Sequence, residues 1–127
     1  MPRLAAIAKR YHLILIEDAT EALGTRCTTG PFAGKFAGTI GDIGCYSFNG
    51  NKIITGSSGG MLLTDDEDAA GKVRKWSTQA REKADWYQHE ELGYNYRMSN
   101  VVAGVVRGQY PHLEEHIAQK KAIYERY

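Results

Sequence analysis

The chain opens with apolar residues at helical spacing and continues with a short, uninterrupted apolar run. The run over residues 13–16 is typical of a strand buried on both faces of a parallel sheet. It ends in Glu17 and Asp18, at the carboxyl edge where open α/β sheets bind their ligands. The apolar residues that predict the preceding helix are Leu4, Ile7, Ala8 and Tyr11.

The middle of the chain is rich in glycine and predicts two more strands. Ten of the 14 glycines fall within residues 24–60, which indicates tight turns or close backbone approach. Residues 43–48 are rich in β-forming side chains, and residues 60–63 form a short apolar segment that Thr64 ends. A polar, glycine-rich turn over residues 49–59 connects the two strands.

The second half of the chain predicts three helices and one long irregular segment. A capping box that starts at Thr64 predicts a helix over residues 65–80. Residues 81–98 are polar and aromatic without periodicity, and irregular segments of that length tend to be functional. Ser99 can cap the next helix, and Pro111 starts or kinks the last one.

Size and charge exclude several classes of protein. The chain has 127 residues, 43% of them apolar, and a net charge of +1, which fits one α/β domain rather than a disordered chain. The charge gives no basic footprint for nucleic acid, and no apolar run reaches the ~18 residues of a membrane span. The start at Met1 has no signal or transit pattern, so we expect a cytoplasmic protein. Cys27 and Cys45 lack a metal-binding spacing and are expected to be buried, reduced thiols.

Lys52 and Asp18 are the residues with the clearest chemical potential. Lys52 follows a predicted strand, although most loop lysines are simply solvated. It is not a P-loop lysine, because Asn51 stands where that motif requires glycine. Asp18 fits a turn aspartate and a partner for a cation equally well. Together they suggest a pyridoxal cofactor, with a Schiff-base lysine and an acid at the pyridinium nitrogen.

Three histidines offer weaker candidates. His112 and His116 match the inverted zinc-protease pattern H-x-x-E-H, but a catalytic zinc needs a third ligand and only Glu125 follows as an acid. We therefore expect no metal and two solvated helix histidines. His89, in the irregular segment, either meets an anionic substrate or is merely exposed.

Four ordered blocks make a family recognisable. With them, the chain resembles the DegT/StrS-type sugar-nucleotide aminotransferases over nearly its whole length. The region of Thr78, Tyr87, His89 and Glu91 looks most like the branch that aminates UDP-4-keto-6-deoxy sugars on the way to bacillosamine-type residues. The four blocks are IEDATEALG (16–24), GDIG (41–44), SFNGNKIIT (47–55) and GYNYRMSN (93–100).

The resemblance implies a pyridoxal-phosphate enzyme of the aspartate-aminotransferase fold. Such an enzyme is a homodimer that takes the amino group from glutamate and gives it to a nucleotide-linked sugar. Lys52 corresponds to the Schiff-base lysine, which also moves the proton, and Asp18 corresponds to the acid at the pyridinium nitrogen. Ser47 corresponds to a hydroxyl that binds the cofactor phosphate, and Asn95 to a residue that reaches the phosphate of the neighbouring subunit's cofactor. Glu21 stands near the cofactor ring, where the family often has Gln or His.

Family members are several times longer than this chain. The resemblance therefore implies that residues 1–127 are part of the large cofactor domain, a mostly parallel sheet flanked by helices. The N-terminal phosphate loop and the C-terminal small domain are absent, and we expect little or no turnover. Residues 25–35 are expected to form a lengthened hairpin. Two alternatives stay open: a noncatalytic paralogue that acts in dimerisation or regulation, and a sugar dehydratase or epimerase on the same scaffold.

Overall fold

The computed structural model describes all 127 residues as a three-stranded sheet with four α-helices around it. The strand order is β1-β2-β3, with β1 parallel and β3 antiparallel to β2. The predicted α/β class is confirmed, and the sheet of this chain is mixed. None of its helices is long and apolar enough to span a membrane. The elements are α1 (Pro2–Arg10), β1 (Ile16–Asp18), β2 (Ile43–Ser47), β3 (Gly60–Leu63), α2 (Glu67–Ser77), α3 (Asn100–Gln109) and α4 (Leu113–Tyr124).

The first strand begins later than the apolar run predicts. Only Ile16–Asp18 pairs with β2. Leu13 and Ile14 precede the strand and are 58% and 73% exposed. Burial of such a run requires cover on both faces of an internal strand, and β1 is an edge strand of this sheet. The prediction of a buried strand over residues 13–16 is therefore wrong.

The predicted helices are present, with shifted ends. The N-cap of α2 is Asp66, whose carboxylate accepts a hydrogen bond from the Ala69 N–H at 2.9 Å. The predicted cap, Thr64, lies two residues too early. The cap of α3 is as predicted, since the Ser99 hydroxyl accepts a hydrogen bond from the Val102 N–H at 3.3 Å. A short 3-10 turn over Tyr110–His112 leads from α3 into α4.

A small apolar core holds α3 and α4 against the end of β2. Two of the four core side chains come from the helices, one from α3 and one from α4. The other two lie in the segment that follows β2. Packing of these four side chains fixes the turn that carries Lys52. The core residues are Phe48, Ile54, Val106 and Leu113.

The hairpin expected over residues 25–35 is present. Arg26 and Phe36 form an antiparallel bridge, and the guanidinium of Arg26 lies 3.6 Å from the centre of the Phe36 ring. Cys27 lies in this hairpin and Cys45 in β2. Both are free thiols, and both are half-buried rather than buried as expected.

Glu17 is a buried carboxylate that organises the entry into β2. Its side chain is in β1, and the residue is only 9% exposed. It accepts hydrogen bonds from the N–H groups of Gly38 at 3.0 Å, Ile40 at 2.5 Å and Gly41 at 2.6 Å. Burial raises the pKa of Glu17, but these three bonds and the charge of Lys35 outweigh it, so the pKa lies below its ordinary value.

We predict that Glu17→Gln destabilises the chain in a pH-dependent way. An amide group puts a donor where a carboxylate oxygen accepted, so the variant should lose about 2–3 kcal/mol of unfolding free energy at pH 7. Because the folded pKa of Glu17 is lowered, its contribution is complete above the unfolded value of about 4.3 and disappears as the pH falls through the folded value. Urea unfolding from pH 7 to pH 3 measures the difference between the two chains. A difference that does not change with pH contradicts the prediction.

Two glycines form a matched pair for a second prediction. A Cβ on Gly44 in β2 would lie 1.9 Å from the carbonyl oxygen of Gly38, so backbone must move to admit it. A Cβ on Gly71 in α2 meets no heavy atom within 4 Å. We expect Gly44→Ala to cost about 3 kcal/mol or more and Gly71→Ala to gain about 0.5–1 kcal/mol. Thermal unfolding followed by circular dichroism tests both, and similar effects of the two changes would refute this packing.

Candidate active site

A cleft of about 690 Å³ opens at the carboxyl ends of β1 and β2. These ends meet because the two strands are parallel, and ligands bind at this edge in open α/β sheets. The walls come from residues 20–25 after β1, residues 51–53 in the turn after β2, and residues 116–121 of α4. The charged or polar lining side chains include Thr20, Glu21, Ser47, Asn51, Lys52, His116, Lys120 and Lys121.

Lys52 lies in this cleft as a shielded amine rather than as a freely solvated loop lysine. Its N–H donates to the Asn49 carbonyl oxygen at 3.0 Å, which closes the turn after β2. The Lys52 side chain is 11% exposed, and its Nζ forms an ion pair with Oε1 of Glu21. The Glu21 side chain is 74% exposed. The shielded Lys52 amine thus contacts a carboxylate that is largely open to solvent.

Asp18 and Ser47 lie at the ends of the two parallel strands. The Asp18 carboxylate accepts a hydrogen bond from the Thr20 N–H at 3.2 Å. Hydrogen bonds from Thr20 and the charge of Lys52 lower the pKa of Asp18. The hydrogen bond from Thr20 is that of a turn aspartate, and the role of Asp18 as a partner for a cation stays a prediction. Ser47 lines the cleft, and its Oγ accepts a hydrogen bond from the Asn49 N–H at 3.3 Å.

One wall of the cleft is basic and comes from α4. His116, Lys120 and Lys121 all line it. The Nδ1 atom of His116 lies 3.2 Å from the carbonyl oxygen of Ile53, which joins α4 to the turn that carries Lys52. Sequence reasoning missed this wall, although residues 116 and 120 lie four apart and therefore share a helix face. No group of three His, Cys, Asp or Glu side chains could hold a metal ion.

Asn95 lies outside the cleft, in the irregular segment. It is exposed and forms an isolated antiparallel bridge with Thr78. The Nδ1 atom of His89 lies 2.8 Å from the carbonyl oxygen of Gln79, so one ring nitrogen is engaged within the segment. Within this chain, the structure brings Lys52, Glu21 and Ser47 into one cleft with Asp18 beside it, and it keeps Asn95 apart. The roles of these residues toward a cofactor stay predictions.

An ion cluster around Lys75 ties the irregular segment to α2. The Lys75 ammonium lies 2.5 Å from a carboxylate oxygen of Glu82 and 2.8 Å from one of Glu91. The second oxygen of Glu91 accepts a hydrogen bond from Trp76 Nε1 at 2.8 Å. Hydrogen bonds to Glu82 and Glu91 raise the pKa of Lys75, and hydrogen bonds from Lys75 and Trp76 lower that of Glu91. Lys75 and Glu91 thus stay charged at neutral pH.

We predict that Lys75→Met loosens residues 79–97 without unfolding the sheet. Both carboxylates lose their cation, so amide hydrogen exchange should accelerate in this segment and stay unchanged in β1 and β2. Acid should have the same local effect, because the contribution of Glu91 disappears as the pH falls through its lowered pKa. Exchange measured by mass spectrometry checks both effects. Lys83→Met is the matched control, since Lys83 is exposed and forms no ion pair; equal acceleration in both variants would contradict the prediction.

The fold and the cleft define an α/β protein with a lysine–carboxylate site at its strand ends. The model of the DegT/DnrJ/EryC1/StrS aminotransferase family matches residues 1–127, and the chain belongs to this family. The predicted family is thereby confirmed.

The relatives of the chain are longer proteins. The "Putative pyridoxal phosphate-dependent aminotransferase EpsN" of Bacillus subtilis (strain 168) is 46% identical over 127 residues, which are 100% of this chain and 31% of that protein. The GDP-perosamine synthase of Caulobacter vibrioides is 37% identical over 123 residues, 97% of this chain and 32% of that protein. A DegT DnrJ EryC1 StrS aminotransferase from Brucella abortus has a similar structure, with a TM-score of 0.85, 27% identity, and coverage of 99% of this chain and 32% of that one. The chain spans about a third of the length of these relatives.

Proposed function

We propose that this chain forms part of the large cofactor domain of a pyridoxal-phosphate-dependent aminotransferase. The enzyme transfers an amino group from glutamate to a nucleotide-linked 4-keto-6-deoxy sugar. The observation that carries the proposal is the cleft that both the shielded Lys52 amine and Ser47 line, with Asp18 at the end of the adjacent strand. The names of two relatives, a pyridoxal phosphate-dependent aminotransferase and a GDP-perosamine synthase, support the cofactor and the substrate class.

The side chains present fit the cofactor. Lys52 offers an amine for its aldehyde, and Ser47 offers a hydroxyl for its phosphate. The lowered pKa of Asp18 keeps a negative charge available for the ring nitrogen. Lys120 and Lys121 add positive charge along the wall of the cleft, which favours an anionic ligand. When bound, pyridoxal phosphate withdraws electrons from the substrate carbon that loses its proton.

In the proposed reaction, the chain's own residues bind, orient and move a proton. The Lys52 nitrogen, once free, carries the proton to and from the substrate carbon as a general acid and base. The Asp18 carboxylate keeps the ring nitrogen protonated, and its bond with the Thr20 N–H fixes its direction. Ser47 orients the phosphate from the end of β2. Lysine at position 52, in place of the histidine of related dehydratases, favours transamination.

The finer parts of the proposal concern assembly and substrate. We infer a homodimer in which Asn95 reaches the cofactor phosphate of the neighbouring subunit, which its exposure permits. We also infer the UDP-4-keto-6-deoxy-sugar branch, from the motif around Thr78 and His89. Turnover by these 127 residues alone is expected to be low, because they correspond to about a third of the relatives' length.

Reductive trapping tests the proposal. The purified chain is titrated with pyridoxal phosphate, its visible absorbance is recorded, and borohydride treatment is followed by peptide mapping. We expect an absorbance band and selective labelling of Lys52, because Asp18 and Ser47, at the ends of the same two parallel strands, would hold the cofactor beside that amine. Lys52→Ala should remove the band. Lys120→Ala, which also deletes a lysine of the cleft, should keep it.

Labelling scattered over many lysines, or no labelling, would overturn the assignment of Lys52. A second assay addresses the reaction itself in the longer protein. Glutamate and a nucleotide-linked 4-keto sugar should give 2-oxoglutarate in step with the amino sugar, whereas a dehydratase gives no such coupling.

A further inference from the structure

Three lysines line the cleft, and only one of them has a carboxylate partner. Lys120 and Lys121 are exposed and form no ion pair. Lys52 is the shielded one, and its ammonium contacts Glu21. The side chains of this pair differ in exposure, since that of Glu21 is 74% exposed and that of Lys52 is 11% exposed. The carboxylate is therefore open to displacement from the solvent side, while the amine is shielded by the protein.

We propose that Glu21 is a positioning residue whose ion pair with Lys52 withholds this amine from aldehydes until a ligand displaces the carboxylate. An amine attacks a carbonyl carbon through its lone pair, and a protonated amine has none. A carboxylate in contact with the nitrogen favours the charged, unreactive form. Because the carboxylate is largely exposed, its hold is weak enough for a bound ligand to break.

The charges around Lys52 explain why this carboxylate matters. Lys120 and Lys121, in the wall of the same cleft, carry charge of the same sign as Lys52 and offer it no partner. Asp18 also attracts Lys52, but the two side chains form no ion pair. Glu21 is thus the acid in direct contact with the amine.

The inference deepens the proposed function and rests on it in one respect, namely that the displacing ligand is the cofactor. Before cofactor arrives, the contact of Glu21 with Lys52 protects the amine from other carbonyl compounds.

Reductive methylation of the cofactor-free chain tests the inference without using enzyme activity. The lysine nitrogen bonds to the carbon of formaldehyde, water leaves, and hydride from cyanoborohydride reduces the C=N bond to an N-methyl group. Mass spectrometry of peptides gives the rate at each lysine. We expect Lys52 to react about two- to fivefold faster in Glu21→Gln than in the unchanged chain, the range of a partly exposed ion pair. The rates of Lys120 and Lys121 should stay the same.

A salt titration makes the test independent of any substitution. In the unchanged chain, raising NaCl to about 1 M screens the ion pair and should raise the rate of Lys52 relative to that of Lys120. In Glu21→Gln this ratio should not respond to salt. A residue with a merely structural role would not produce this salt-dependent reactivity. Glu82→Gln is the matched control, because it removes a carboxylate from Lys75 and should leave the rate of Lys52 unchanged.

An unchanged or lower rate at Lys52 in Glu21→Gln, or a salt-independent ratio in the unchanged chain, overturns the inference. Comparison with the pyridoxal phosphate experiment separates the two proposals. Formaldehyde rates as expected, together with scattered pyridoxal phosphate labelling, support the role of Glu21 and reject the proposed function. Selective pyridoxal phosphate labelling of Lys52, with no effect of Glu21→Gln on formaldehyde rates, supports the proposed function and rejects the role of Glu21.

Discussion

Three backbone N–H groups converge on the carboxylate of Glu17, and the position of the site depends on this contact. The carboxylate fixes the loop over residues 38–41, so that β2 starts beside β1 in parallel register. Parallel register brings the ends of both strands to one edge, where Asp18 and Ser47 end them. The turn that follows β2 then presents Lys52 to the same cleft. The buried Glu17 carboxylate thus helps to position the Lys52 ammonium in the cleft.

The two neighbouring acids at the end of β1 differ in burial and therefore in role. Side chains alternate across a strand, so Glu17 and Asp18 point to opposite faces. Glu17 turns inward and meets N–H groups, whereas Asp18 is exposed at the edge near Lys52. Both have a lowered pKa, but hydrogen bonds overcome burial in the first, while the second depends on Thr20 and the charge of Lys52. One carboxylate can therefore hold the fold while its neighbour stays available for a ligand.

Sequence patterns predicted the elements well and the contacts between them poorly. The strands over 43–48 and 60–63 and the helix capped by Ser99 follow from local signals of propensity and capping. The burial of residues 13–16 failed, because burial depends on neighbouring strands rather than on the run itself. The Glu17 contacts and the ion pair of Glu21 with Lys52 join residues more than 20 positions apart, and no periodicity encodes such pairs.

The ion cluster around Lys75 bears on assembly. Lys75 ties the irregular segment to α2 through Glu82 and Glu91. Asn95 is at the far end of this segment, exposed and next to the stacked rings of Tyr94 and Tyr96. Because Asn95 does not line the cleft of its own chain, the proposed contact with a cofactor phosphate requires the cleft of a second chain. The ion cluster around Lys75 would then help to set the position from which Asn95 reaches the second chain.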